Sequence, residues 1–144
     1  MKLLWALSFA LFTSASMACT NFSGTYIDDQ TKTYTVTQSA CESVVVVSSE
    51  GSETIIADGV YRVTSEDEQV RITSAANFIG ENLTIDGKVE YKTPLPPEVP
   101  ADKIPARVVE VYTLDSAGNL VMQLSVLNLN NQTITSSTIT HQKI

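Results

Sequence analysis

The sequence predicts an all-β chain, arranged as an antiparallel up-and-down barrel of about 8–10 strands, with a β-sandwich as the alternative. Three observations predict it. Thr, Val, Ile and Tyr dominate the segments between turns, apolar and polar residues alternate at period two, and no segment keeps a helical period with caps. A closed barrel is preferred because consecutive hairpins otherwise leave long unpaired edges.

The chain opens with Lys2 and an apolar run, LLWALSFALF (residues 3–12), followed by the small residues TSASMA. Ser16-Met17-Ala18 fits the small-x-small rule for cleavage after Ala18, so residues 1–18 are expected to be an export leader. The run is shorter than the roughly 20 residues that span a bilayer, and no later stretch is long and apolar enough. The expected remainder, residues 19–144, is long enough for one domain with a core of its own.

Cys19 stands directly after that cleavage point. It is either a lipid anchor or half of a disulfide with Cys41, the other cysteine of the chain. A lipoprotein leader places an apolar residue three positions before the modified cysteine, and here that residue is Ser16. Lipidation would also strand Cys41 as an odd thiol in an oxidising compartment. The disulfide is therefore preferred. Closing a loop of about 22 residues, it would contribute roughly 3 kcal/mol in the chain-entropy model.

The elements follow in order. In KTYTVTQ, Tyr34 and Val36 share one face and Thr33, Thr35 and Thr37 the other. SVVVVSS reads as a strand covered on both faces. TIIADGVYRVT reads as two short strands around an Asp58-Gly59 turn, and EQVRITSA as a strand with Val70 and Ile72 inward. The triplet Glu66-Asp67-Glu68 reads as a solvated turn. NLTIDGKVEYK reads as a hairpin turning at Asp86-Gly87.

TPLPPEVPADKIPA (residues 93–106) holds all five prolines. Proline removes a ladder donor, so this stretch is expected to be an extended, semi-rigid connector. Leu95, Val99 and Ile104 are its candidate interaction residues: tucked in, they would make the loop structural, and exposed, they would suit a partner. RVVEVYTL and LVMQLSVLN are strands joined by the turn cluster 115–119. In TITSSTIT, Ile134 and Ile139 share a face only if the strand bulges, expected near Ser136-Ser137.

Charge and motifs narrow the function. Nine basic and sixteen acidic residues give −7, and loss of Lys2 with the leader would make the chain one unit more negative. No basic cluster is present, which excludes nucleic acid as a partner and makes the chain a poor match for an anionic membrane surface. No phosphate loop, His-x-x-x-His spacing or EF-hand pattern occurs, so no cofactor or metal is expected. The single histidine, His141, is expected to lie exposed on the last strand, and no catalytic residue stands out. Asn21, Asn82 and Asn131 begin Asn-x-Ser/Thr triplets, which matter only in a host that glycosylates exported proteins.

Gly24-Thr25-Tyr26, at the head of the first strand, resembles the Gly-x-Trp signature of lipocalin-like (calycin) barrels, with Tyr26 in place of the tryptophan. The last strand carries His141 and Lys143 but no arginine to cover that ring, and no Thr-Asp-Tyr stretch follows in a later loop. The resemblance implies a barrel whose closed end is packed by Tyr26 and whose open end admits a small apolar ligand. CTNFSGTY, TQSAC, ADG and LDSAGNLV are also similar to stretches of small exported bacterial all-β proteins, a likeness that implies no activity.

Two expectations for function result. The first is a non-catalytic, monomeric module in the periplasm or outside the cell, working through its surface in the envelope or on a protein partner. The alternative is a carrier of a small apolar ligand, with Tyr34, Val36, Tyr61, Val63, Tyr91, Met122 and Leu124 as candidate lining residues.

Overall fold

A computed structural model of the chain describes residues 18–144. The expected leader lies outside the described residues apart from Ala18. The chain forms ten strands: β1 (Gly24–Ile27), β2 (Thr33–Ser39), β3 (Ser43–Ser48), β4 (Gly51–Ile56), β5 (Arg62–Glu66), β6 (Val70–Ile79), β7 (Asn82–Tyr91), β8 (Arg107–Leu114), β9 (Leu120–Leu127) and β10 (Thr133–Lys143). They build a single sheet in the order β4-β3-β2-β1-β10-β9-β8-β7-β6-β5, with each neighbouring pair antiparallel.

Sequence neighbours pair throughout this order, with one exception. β4 and β5 are the two edges, and the first and last strands join in the middle of the sheet, with Tyr26 opposite Lys143. The sheet nevertheless rolls. Val36 and Val44 from one half and Ala76, Leu83 and Leu120 from the other share one buried cluster with Phe22 and Tyr26, and β4 approaches β6 across the interior. The expected barrel is thus corrected to a rolled sheet with an open seam, not closed by hydrogen bonds between β4 and β5.

The connector 57–61 explains the seam. Ala57 N–H donates to the Glu42 carbonyl at 2.7 Å, and Gly59 N–H to the Ala76 carbonyl at 2.9 Å. The chain therefore leaves β4 and lies against the end of β6 instead of turning back on itself. Gly59 has φ +72°, and a Cβ there would meet the Asn77 side chain at 3.0 Å, so glycine is required. Asp58 accepts from Val60 N–H and takes the Arg62 guanidinium at 2.6 Å, fixing the entry into β5. The expected Asp58-Gly59 turn is corrected to a bend at Asp58, and the strands on either side of it do not pair.

Two other expectations are corrected. Asp86-Gly87 is no turn: β7 runs unbroken through it. Gly87 serves close packing, since a Cβ there would lie 3.2 Å from Ser74 Oγ and 3.4 Å from the Val108 carbonyl. The bulge of β10 falls between Thr133 and Thr135, earlier than Ser136-Ser137, and leaves Ile139 opposite Met122. The turn at 115–119 is as expected, with Asp115 N–H donating to the Asn119 carbonyl and Gly118 at φ +81°.

Residues 19–23 form a strap across one end of the roll. The Cys19–Cys41 disulfide ties it to the β2–β3 turn, and Thr20 N–H donates to the Glu81 carbonyl in the β6–β7 turn. Gln38 clamps it from below: its Oε1 accepts from Phe22 N–H, and its Nε2 donates to the Thr20 and Ala40 carbonyls. Phe22 is thereby pressed inward against Phe78, and its carbonyl accepts from the fully buried Tyr26 hydroxyl. Replacing both cysteines by serine should lower unfolding free energy by about 3 kcal/mol. Urea denaturation checks this, and an unchanged midpoint would contradict the assignment of the strap as a stabilising staple.

Candidate functional site

Register and the period of two assign each strand one concave face. Tyr34, Val36, Val44, Val46, Glu53 and Ile55 follow one another across β2, β3 and β4. Leu83 and Ile85 on β7 stand opposite Tyr112 and Glu110 on β8, which stand opposite Met122 and Leu124 on β9. The roll brings these two sets face to face.

They do not fill the space between them. A cavity of about 380 Å³ remains, floored by Phe22, Leu83 and Leu120 and walled by Val36, Val44, Val46, Ile55 and Met122. Tyr34, Tyr112 and His141 are polar groups in its wall, and Asp28, Lys32, Thr33, Ser48, Ser49, Glu50 and Glu53 border it as well. A second cleft of about 300 Å³ lies at the seam and shares Glu53, Ile55 and Tyr112 with the first.

The polar groups are locked by neighbours. The Tyr34 hydroxyl and His141 Nδ1 are hydrogen-bonded, and the two rings meet edge to face. Tyr26 stacks on Tyr34 with ring centroids 5.8 Å apart. Burial, followed by the charges of Tyr26 and Asp28, pushes the Tyr34 phenol well above its usual range. His141 is therefore half-buried in the cavity wall, a correction to the exposed position expected for it. Tyr112 donates to Glu110 Oε2 at 2.6 Å. Its phenol is pushed up by burial first, and then by Glu110, Tyr34 and Glu53. Both tyrosines stay neutral near neutral pH, as hydrogen-bonding groups rather than bases.

Of the candidate lining residues, Tyr34, Val36 and Met122 border the cavity. The other four lie elsewhere. Tyr61 is on the convex face, donating to Asp86 Oδ2 at 2.6 Å with the Lys88 ammonium 3.9 Å from its ring centre. Val63 is 51% exposed. On β5 it is Arg62 and Thr64 that border the seam cleft, Arg62 bound to Asp58 and Thr64 to Ser74, so the apolar members of the alternation fall outside. Tyr91 donates to the Pro105 carbonyl at the foot of the proline-rich loop. Leu124 is on the concave face but does not border the cavity.

The candidate loop residues divide as well. Leu95 and Val99 are 36% and 38% exposed, and Ile104 is half-buried. The loop carries a short 3-10 turn at Ala101–Lys103. It is braced by Ala106 N–H on the Leu127 carbonyl and by the Asn128 side chain on the Asp102 carbonyl. Buried Asn128 also accepts from Asn130 and Gln132 N–H, a role its polar neighbourhood in NLNNQT hid.

Sequence reasoning missed the apolar wall residues Phe22, Val44, Val46, Ile55, Leu83 and Leu120 and, among the polar groups, His141, Tyr112, Glu110 and Glu53. For Glu110 and Tyr112 the signal was present, since a period of two through RVVEVYTL puts them on one face.

No family model, curated protein or solved structure matches this chain. Among the described residues no group of three or more His, Cys, Asp or Glu could hold a metal ion. No helix among them is long and apolar enough to cross a membrane.

On the convex face, Asp86 is held by Arg107 at 2.6 Å and by Tyr61. Partial burial alone would raise its carboxyl, but these hydrogen bonds outweigh it and the net direction is down. A lowered carboxyl stabilises the fold above the unfolded value of about 4, and that contribution is lost as pH falls through the folded value. Asp86→Asn should therefore flatten the loss of stability as pH falls below about 4. Urea midpoints over that range check it, and an unchanged acid limb would contradict the role given to Asp86.

Proposed function

We propose that this protein is an exported, non-catalytic binding protein that holds one small, largely apolar molecule inside its rolled sheet. The observation that carries this reading is the cavity of about 380 Å³, where apolar side chains from both halves of the sheet meet Tyr34, Tyr112 and His141. Ligand sites typically measure about 300–1,000 Å³ and have this composition. The wall groups suit orientation rather than chemistry, because His141 is engaged by Tyr34 and both cysteines are in the disulfide. That bond also supports an oxidising, extracytoplasmic location.

In outline this is the lipocalin-like alternative: Phe22 and Tyr26 close one end, and the other end is rimmed by polar turns. A surface role draws support from a different place. Leu95 and Val99 on the proline-rich loop and Leu129, which is 72% exposed, leave apolar side chains in solvent. Single exposed apolar residues are ordinary on a protein surface. The cavity supports its reading more strongly.

An environment-sensitive apolar dye should bind the disulfide-intact protein at about one per chain. Met122→Trp should weaken it at least about tenfold by filling the cavity, equivalent to ~1.4 kcal/mol. Val47→Trp, on the opposite face of β3, should leave it unchanged. Fluorescence titration with circular dichroism as the folding control checks this. Failure of the wild-type protein to bind, or equal binding by Met122→Trp, would contradict the proposal.

A further inference from the structure

The polar side chains bordering the cavity divide by depth. Lys32, Thr33, Ser48, Ser49, Glu50 and Glu53 are exposed, and the Lys32 ammonium is paired with Glu50 at 2.7 Å. Asp28, Tyr34, Tyr112 and His141 are half-buried. Asp28 Oδ1 is spent on its own turn, accepting from the backbone N–H groups of Gln30 and Lys32. The Tyr112 proton goes to Glu110 at 2.6 Å. Tyr34 and His141 Nδ1 are bonded to each other.

The direction of that last bond decides what His141 can offer. Tyr34 keeps its proton, because burial and then the charges of Tyr26 and Asp28 hold its phenol well above the usual range. Its hydroxyl makes no other hydrogen bond among the described residues, so the proton points to Nδ1. A neutral His141 then carries its own proton on Nε2. In an imidazolium both ring nitrogens are donors, so the Nε2–H is present in either charge state. Nε2 has no partner among the described residues. It is the one donor on the half-buried part of the wall that is not already given away.

Resting on the cavity reading above, we propose that the bound molecule is a neutral apolar compound with an accepting oxygen, such as a ketone or an ester, and that His141 Nε2–H donates to that oxygen.

The imidazole is held ready for this. Tyr34 meets it edge to face, Tyr26 stacks behind Tyr34 at 5.8 Å, and Leu120 of the cavity floor is its register partner on β9. A donor fixed in advance loses little freedom on binding. A pure hydrocarbon filling the cavity would strip Nε2–H of water without replacing the bond, whereas a carbonyl replaces it. A carboxylate would accept as well, but Asp28, Glu50 and Glu53 border the cavity against Lys32 alone, and they repel an anion.

Two probes of one shape test this on the untagged, oxidised chain: 2-decanone, and 2-methyl-1-decene, in which a methylene replaces the carbonyl oxygen. Each competes against a neutral apolar dye. His141→Phe keeps a ring and loses the donor. It should weaken 2-decanone about fivefold, the loss of one neutral hydrogen bond, while the alkene binds at least as well as before. His141 is the single histidine, so 15N-histidine labelling of the wild type reports on one ring. Its Nε2 nitrogen and proton signals should move much further with 2-decanone than with the alkene. Circular dichroism establishes that the variant folds, and should it fail to, the Nε2 response decides alone. If the folded variant weakens both probes alike or neither, or if Nε2 responds equally to both, the hydrogen bond is excluded while the cavity reading stands. The same holds if the dye binds and 2-decanone does not displace it. If neither the dye nor the probes bind, both readings fall.

Discussion

The covalent tie between Cys19 and Cys41 is the constraint on which the interior depends. A rolled sheet alone has two open ends and a seam. The strap of residues 19–23 closes one end because it is fixed at both sides, by sulfur at the β2–β3 turn and by Thr20 on the β6–β7 turn. Only a chain held across that span can press Phe22 inward against Phe78 and receive the Tyr26 hydroxyl on its carbonyl. Phe22 and Tyr26 are the largest fully buried side chains among the described residues, so the floor and the strap are one device. Gln38 makes that device specific. Its amide bonds to both sides of the strap and leaves few alternative positions for it.

The seam is the second consequence of how the chain is routed. Because the connector 57–61 binds β6 through Gly59, β5 adds to the far edge of the sheet and faces β4 across a gap. Free edges invite pairing with other chains, and short strands with charged residues are the usual protection. β4 and β5 are both short and carry Glu53, Arg62 and Glu66. β5 is exposed along its whole length, which places it at the low-stability end of the fold. Access to the interior through this side therefore requires less disruption than through the strap, where covalent and aromatic contacts would have to break.

Much of the architecture was legible because strand signals are local. Alternation in KTYTVTQ and LVMQLSVLN and the turn cluster at 115–119 each correspond to what the chain does there. The misreadings share one cause. Asp-Gly pairs were taken as turns from their backbone preference, but Gly87 is selected by the approach of Ser74 and Val108, which are distant in sequence. Tyr61, just before β5, and Val63 on it were placed inward, but Asp58 and Ser74 draw Arg62 and Thr64 to that side. His141 looked exposed on a threonine-rich strand until β1 and β2 brought Tyr34 to it. Hollowness was beyond local reading altogether. It depends on the curvature of the whole sheet and on the seam, which no single segment encodes.

Methyl-resolved nuclear magnetic resonance during titration with a neutral apolar probe measures the hollow interior most directly. The account predicts that methyl signals of Val36, Val44, Val46, Ile55, Leu83, Leu120 and Met122 shift together and saturate at one probe per chain, while Val47, Val63 and Ile79 stay in place. Shifts confined to the convex-face methyls, or none at all under saturating probe, would contradict it.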